Sequence, residues 1–459
     1  MKKLIGSKGF YKMVLAICIP IVIQNGFTNL ASLLDNIMIG QLGTLSMSGV
    51  SITNQLLQVF NVTIFGAMSG PGIFMAQFYG KKNKEGVENC FRIKLIIGII
   101  IALLAIFLFY TFGQQLISLY LNDNPQDSLK TLNYGMNYLK IMLVGLIPFV
   151  ITQVYSSSLR ETGNTILPMI ASVVAVIVNF CINYILIFGH FGFPEMGIKG
   201  AAVGTLTARM LELLIIVVYV WKIDTKVRLF DVNLIRIIFA PVNRKIWMAF
   251  LKVAFPIMCS GMIWAISVPM QTAILGHLSA DAIAANSVSS TFFQYLKVIV
   301  IAISSASAVV IGKDIGEGDI ERVKSDGRTL SVIDLLIGVV LASLLFVLRG
   351  PLLSMYKLTD TAAVLADHFI MIMSIVMVGM SYQMPVSVGV IQGGGDTKFS
   401  MYTNLISTWG IVMPLSFLAA FVWKLPVELV VAAVQSDQLF KGIPVFLRFR
   451  SYKWIHKLT

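Results

Sequence analysis

Charged residues are scarce in this sequence. Asp, Glu, Lys and Arg make up 12% of its 459 residues, and soluble domains carry about twice that fraction. Hydrophobic residues make up 57%, and they recur in stretches of about 20 residues, enough for a helix to cross roughly 30 Å of hydrocarbon. Lipid leaves the backbone only helices or closed barrels, and these stretches are too long for barrel strands. The composition therefore excludes an ordinary soluble domain and predicts an all-α integral membrane protein.

Recognisable catalytic motifs are also missing. The sequence contains no GxxxxGK[ST] phosphate loop, no HExxH zinc motif and no GxSxG nucleophile turn. Its four histidines are dispersed, and its four cysteines are scattered without paired spacing. We therefore predict that the chain is not an enzyme, does not hydrolyse ATP by a phosphate loop and needs no organic cofactor.

Basic residues are distributed unevenly between the predicted loops. The apolar stretches predict twelve transmembrane helices, at residues 11–36, 48–76, 93–112, 134–158, 166–188, 199–221, 247–271, 286–311, 328–348, 364–391, 398–421 and 427–447. Most of the 35 Lys and Arg residues fall in the termini and in every second loop. This asymmetry places both termini in the cytoplasm. The charge of +13 thus reflects topology, and we expect a multi-pass protein of the plasma or inner membrane that binds no nucleic acid.

The two halves of the chain resemble each other. Pro20 and Ile21 correspond to Pro256 and Ile257, and further matches follow in the same order at a nearly constant offset. We predict an N-terminal six-helix lobe at 1–221, a cytoplasmic linker at 222–246 and a C-terminal six-helix lobe at 247–459. An even number of spans per repeat relates the lobes by a pseudo-two-fold axis along the membrane normal, which suits alternating access. An inherited duplication without moving parts is the alternative.

Polar residues within the spans of the first lobe are few. Asp35 lies toward the C-terminal end of the first span, where the helix dipole disfavours an anion. Asn179 and Asn183 share one face of the fifth span, and Thr205 lies on the sixth, in the same half of the membrane. One carboxylate with amide and hydroxyl oxygens suits Na⁺ or a protonatable carboxyl. Hydrogen bonding between helices is the structural alternative for the Asn and Thr residues.

The second lobe carries a different set of candidates. Lys297 and Asp334 lie within predicted spans, and they form either a pair with each other or a separate charged site. Gln271 corresponds to Asp35 in the internal repeat, so the charge belongs to the first lobe only. Trp264 and Gln271, on the same span, are candidates to line a cleft for apolar substrates.

Several segments resemble the multidrug and toxic compound extrusion (MATE) family. They are LLDNIMIGQLG at 33–43, LRETGNT at 159–165, NFCINYILIFG at 179–189, GIKGAAVGT at 197–205 and QGGGDT at 392–397. The resemblance implies a first-lobe cation site at Asp35, Asn179, Asn183 and Thr205. Asn183 stands where several family members carry a second Asp. Trp264 and Ser381 stand where one branch of the family carries second-lobe acids.

The resemblance implies a V-shaped, two-lobed antiporter that exports organic cations or amphiphilic drugs. Nothing in the sequence requires a partner chain, so we expect a monomer in the lipid bilayer. Its coupling ion is expected to be Na⁺, with Asp35 as ligand, or H⁺. A flippase for lipid-linked saccharides of the same superfamily is the main alternative, although few charges lie inside the spans. A channel is a third possibility, against which the repeat and the single-lobe acid both argue.

Overall fold

The described residues fold into helices, many of them joined by short turns. The computed structural model describes residues 8–121, 125–222, 244–354, 356 and 358–459, and none of these residues forms a strand. The predicted linker at 222–246 falls largely on residues 223–243, which lie outside the described part. The all-α membrane fold predicted from composition is confirmed.

Fifteen segments, numbered in chain order, carry the described helical structure. They are α1 Lys8–Gly40, α2 Thr44–Gly80, α3 Lys84–Ser118, α4 Pro125–Val144, α5 Leu146–Glu161, α6 Ile166–Phe188, α7 Ile198–Lys222, α8 Arg244–Gly276, α9 Ala280–Glu317, α10 Ile320–Leu353, α11 Asp360–Ile391, α12 Thr397–Val422, α13 Val427–Gln435, α14 Asp437–Phe440 and α15 Gly442–Ser451. The last turns of α11 and parts of α12 are π-helical.

Within the described residues, ten helices are long and apolar enough to cross a membrane. An eleventh span forms if α4 and α5 are counted together, since they are bent by 50° at a short break. The predicted fourth span at 134–158 therefore contains a bend at Gly145. The predicted twelfth span, 427–447, is divided among the short helices α13, α14 and α15. Most helices extend beyond the predicted apolar cores because their polar ends continue the same hydrogen bonding.

Capping residues set several helix boundaries. Asp319 Oδ1 accepts from the Arg322 backbone N–H at 3.0 Å and begins α10, and Asp396 caps α12 through the Phe399 N–H. Such caps satisfy backbone donors that the first turn leaves free. Gly318, with φ of 86°, ends α9 in the left-handed conformation that glycine adopts without strain.

The described residues divide into two compact units. The amino-terminal unit contains Ile23–Met75 and Lys84–Phe250. The carboxyl-terminal unit contains the chain through Val22, together with Ala76–Asn83 and Leu251–Thr459. Helices α1 and α2 thus contribute residues to both units. The predicted lobe boundaries follow the linker instead, and they stay a prediction.

Glycines allow a close approach between α2 and α9 in the carboxyl-terminal unit. A Cβ on Gly80 would lie 2.2 Å from the Lys313 carbonyl oxygen, and one on Gly312 would lie 2.7 Å from Ala76 Cβ. These glycines belong to the loop motifs that the repeat pairs with each other, Gly80-Lys81 and Gly312-Lys313. The repeated motif therefore serves packing at this end of the unit.

Candidate functional site

The four predicted first-lobe residues meet in the amino-terminal unit. Asp35 lies on α1, Asn179 and Asn183 lie one turn apart on α6, and Thr205 lies on α7. Asn183 Nδ2 donates to Asp35 Oδ1 at 2.7 Å and approaches Asn179 Oδ1 at 3.3 Å. Asn183 is fully buried and Asn179 nearly so, whereas Asp35 is half-buried. We call these four residues the Asp35 site.

Asn179 links the carboxylate to α7. Its Nδ2 lies 3.4 Å from Thr205 Oγ1, a long contact. With the amide turned over, Nδ2 donates instead to Asp35 Oδ1 at 3.1 Å, and Oδ1 accepts from the Thr205 backbone N–H at 3.2 Å. This second orientation has the better hydrogen-bond geometry. In it, both amides donate to the same carboxylate oxygen of Asp35.

One oxygen in the site has no hydrogen-bond donor. Asn183 Oδ1 is buried and unpartnered among the described residues. It lies against Gly204 of α7, where an added Cβ would come within 1.9 Å of it. A buried amide oxygen without a donor is costly unless something else satisfies it. The site thus contains carboxylate, amide and hydroxyl oxygens, the ligand types that hard cations prefer.

One residue outside the predicted set, Tyr138, extends this site. Tyr138 on α4 is buried, and its side chain interacts with those of Thr205 and Asn54. It also lies close enough to Asp35 and Arg209 for electrostatic interaction. The low hydropathy of TLNYGMNYLK in α4 was the available signal, since a lipid-facing helix has little use for two Tyr and two Asn residues.

A chain of alternating charges continues through the amino-terminal unit. Arg209 interacts with Glu212, Glu212 with Arg160, and Arg160 with Glu161. Glu161 pairs with Lys94 of α3, whose side chain is 0% exposed and also donates to Ser157 Oγ at 3.1 Å. Lys94 is the second residue of the predicted third span, 93–112, and the structure buries its side chain inside α3.

The second-lobe charges do not pair with each other. Asp334 is 1% exposed, and neither of its carboxylate oxygens has a hydrogen-bond partner among the described residues. It acts electrostatically on Cys18 and Tyr382. Lys297 instead lies with its Nζ 5.2 Å from the centre of the Trp264 ring. The direct Lys297–Asp334 pair was thus a wrong alternative, because the two side chains point to different neighbours.

Trp264 and Gln271 both lie on α8. Gln271 follows Trp264 by seven positions, about two helical turns, so the two residues lie on one face of the helix. The Trp264 side chain is 47% exposed and that of Gln271 is half-buried. Their role in lining a substrate cleft stays a prediction.

Comparison with known proteins identifies the family. The MatE family model matches residues 20–185 and again residues 256–418, so the two matches begin at the repeat-related Pro20 and Pro256. A probable multidrug resistance protein NorM of Thermotoga maritima is 25% identical over 447 residues, covering 96% of this chain and 93% of that protein. A probable NorM of Bacillus cereus is also 25% identical, covering 89% of this chain and 88% of its own.

Solved structures share the fold. An outward-facing multidrug resistance MATE family transporter of the MOP superfamily superposes with a TM-score of 0.86 at 19% identity, covering 98% of this chain and 96% of its own. A MOP superfamily transporter from Pyrococcus furiosus, whose binding pocket is described as reversed in polarity, reaches 0.84 at 19% identity, covering 97% and 98%. The double match of the family model, over most of the chain, shows that this protein belongs to the MatE family of membrane transporters.

Proposed function

We propose that this chain is a secondary active multidrug efflux transporter. It exports cationic or amphiphilic organic compounds by antiport with Na⁺ or H⁺ through alternating access. The names of its relatives, probable multidrug resistance proteins of Thermotoga and Bacillus, support the substrate class. A transporter of the same fold has a binding pocket described as reversed in polarity, so the fold alone does not determine the substrate.

One observation carries the coupling part of the proposal. Asp35 is an acid within a membrane-spanning helix, and its Oδ1 accepts a 2.7 Å hydrogen bond from a fully buried asparagine. Carboxylates inside a bilayer are costly and usually functional. A site with a single carboxylate, neutral amides and a hydroxyl gains stability when a proton or a monovalent cation arrives.

The same geometry suggests how binding acts on the transport cycle. The Asp35 site joins α1, α6 and α7, so a cation there stabilises one arrangement of these three helices. A ligand shifts such an equilibrium only through its different affinity for the two states. Drug is released on the outside first. We propose that the cation then binds and favours the return to the state that takes up drug from the inside.

The remaining parts of the proposal concern the cellular setting. We place the protein in the plasma or inner membrane with both termini in the cytoplasm, following the distribution of Lys and Arg. We propose a monomer in the lipid bilayer that uses the ion gradient as its energy source and needs no organic cofactor.

Efflux from proteoliposomes tests this function. Purified protein is reconstituted, the vesicles are loaded with ethidium, and dye export is followed under an imposed Na⁺ gradient, an imposed H⁺ gradient or neither. We expect one gradient to accelerate export severalfold and to lose its effect when an ionophore collapses it.

The controls separate transport from leakage. Protein-free vesicles report passive loss of dye, and dissipation of the membrane potential alone reports electrophoretic movement. Export that ignores both ion gradients in correctly folded protein would contradict secondary antiport. Export that runs down the dye gradient alone, at rates far above a carrier cycle, would support a channel instead.

A further inference from the structure

A second polar cluster lies in the carboxyl-terminal unit, whereas Asp35 belongs to the amino-terminal unit. It gathers side chains from α8, α9, α11 and the segment containing α14. We call it the Lys297 cluster; its members are Trp264, Lys297, Gln383, Asp437, Gln438 and Lys441. Asp437, Lys441 and Gln383 are each less than a tenth exposed. Neither the composition nor the repeat singled out the last four.

Asp437 is already occupied by partners other than Lys297. Its Oδ2 accepts from Lys441 Nζ at 2.7 Å, and its Oδ1 accepts from Gln438 Nε2 at 2.9 Å. Gln383 Nε2 holds Gln438 in place by donating to its Oε1 at 2.7 Å. Both carboxylate oxygens of Asp437, the one acid in the cluster, therefore already accept hydrogen bonds.

Lys297 is left without an acceptor. Among the described residues, no oxygen accepts a hydrogen bond from its Nζ and no carboxylate lies within salt-bridge distance. Its nearest specific partner is the Trp264 ring, 5.2 Å from Nζ to the ring centre. Asp437 and Lys441 act on it electrostatically with opposite effects. A Trp face attracts an ammonium weakly, so most of the hydrogen-bonding capacity of Lys297 is unused.

The charges of the cluster do not balance. The cluster holds two ammonium groups and one carboxylate, and that carboxylate is paired with Lys441, so Lys297 keeps an uncompensated positive charge within a membrane-spanning helix. Such a charge is costly without an anionic partner. The Trp264 side chain beside it is 47% exposed, so an apolar ligand surface has room to pack on the ring next to the ammonium.

We propose that the Lys297 cluster binds the carboxylate of an amphiphilic substrate. Lys297 Nζ donates to the carboxylate, and Trp264 packs against the adjoining apolar part. This inference rests on the proposed function and narrows it. The substrates then include zwitterionic or anionic amphiphiles, whose negative group binds in the carboxyl-terminal unit. In this proposal the Asp35 site, in the amino-terminal unit, binds the coupling cation.

A matched pair of dyes tests this assignment. Rhodamine B carries a free carboxylate, and its ethyl ester has the same ring system without that negative charge. Binding of each dye to purified protein in nanodiscs is measured by fluorescence polarisation for the wild type, Lys297→Met and Lys297→Arg. Lys252→Met serves as the control, since Lys252 is an exposed lysine of α8 in the same unit.

We expect the wild type to prefer rhodamine B. Lys297→Met should weaken rhodamine B binding about tenfold or more, because the carboxylate loses a charged hydrogen-bond donor, and should leave binding of the ester unchanged. Lys297→Arg should retain most of the preference, and Lys252→Met all of it. Thermal unfolding of each variant confirms that it is folded.

Three results would overturn the inference. They are equal binding of both dyes by the wild type, equal weakening of both dyes by Lys297→Met, and no binding of rhodamine B at all. None of them bears on the proposed function, which is judged separately by gradient-driven export of the ester. If the wild type showed no gradient-driven export, the transport proposal would be contradicted.

Discussion

Asn183 Nδ2 donates to Asp35 Oδ1 at 2.7 Å, joining residues 148 positions apart in the chain. The contact fixes α6 against the C-terminal part of α1, and Asn183 is 0% exposed where it is made. Because the donor is a neutral amide, it orients the carboxylate without cancelling its charge. The Asp35 site therefore stays able to receive a proton or a cation.

Replacing Asn183 with Ala should impair coupling more than folding. Asp35 loses its shortest hydrogen bond, and a bond to a charged acceptor contributes about 1.5–3 kcal/mol. We expect gradient-driven ethidium export to fall about tenfold or more, measured in proteoliposomes with equal protein content. Asn133→Ala, at an exposed position on α4, should leave export unchanged. Wild-type rates in Asn183→Ala would show that this contact is structural only.

Gly204→Ala should act on the same site from the opposite side. The new Cβ would lie 1.9 Å from Asn183 Oδ1, so Asn183 must move away from Asp35. We expect a loss of coupled export comparable to that of Asn183→Ala. Gly350→Ala is the control: nothing lies within 4 Å of its Cβ position, and Ala at a helical site gains up to about 1 kcal/mol.

The two substitutions should not add. In Asn183→Ala the space in front of Gly204 is empty, so Gly204→Ala has nothing left to displace. The double variant should therefore export dye at nearly the rate of Asn183→Ala alone, as expected for residues that act through one contact. Independent, multiplying losses would show that Gly204 matters for a reason other than Asn183.

Lys94→Met should destabilise the amino-terminal unit. Lys94 is fully buried and paired with Glu161, and removal of one partner from a buried ion pair costs about 3–5 kcal/mol because the other charge remains. We expect a clear fall in the thermal unfolding temperature in detergent. Adding Glu161→Gln should recover most of the loss, since the stranded charge is then gone.

A surface lysine provides the comparison for that experiment. Lys140→Met changes an exposed residue of α4 and should leave the unfolding temperature within about a degree of the wild type, as most exposed substitutions cost under 0.5 kcal/mol. If Lys94→Met unfolded at the same temperature as Lys140→Met, the Lys94–Glu161 pair would carry no net stability.

The Asp35 site could be predicted from the sequence because helical geometry constrains it strongly. Asn179 and Asn183 are four residues apart, so they had to share a face. Counting spans then placed them in the same half of the membrane as Asp35 and Thr205. Polar groups in hydrocarbon are costly unless they hydrogen-bond to one another. In the structure, all four residues lie in one hydrogen-bonded group.

The rest of the molecule was harder to predict for identifiable reasons. The direction in which Lys297 points depends on helix rotation, which α9 does not reveal because its polar residues are spread over all of its faces. The Lys297 cluster also depends on α14, four residues long, in a stretch that hydropathy treats as one continuous span. The burial of Lys94 follows from packing between helices rather than from local sequence, whereas Tyr138 lies in a polar stretch of α4 that did carry a signal.

The central claim is that Asp35 couples ion movement to drug export, and Asp35→Asn tests it most directly. Asn keeps the size of the side chain and one acceptor oxygen, but it can neither hold a negative charge nor take up a proton. Ethidium export is compared for the wild type, Asp35→Asn and Asp360→Asn, an exposed acid at the start of α11, under the gradient that drives the wild type. We predict that Asp35→Asn loses the gradient-driven component while still binding ethidium, and that Asp360→Asn behaves as the wild type. Gradient-driven export at the wild-type rate by Asp35→Asn would contradict the account.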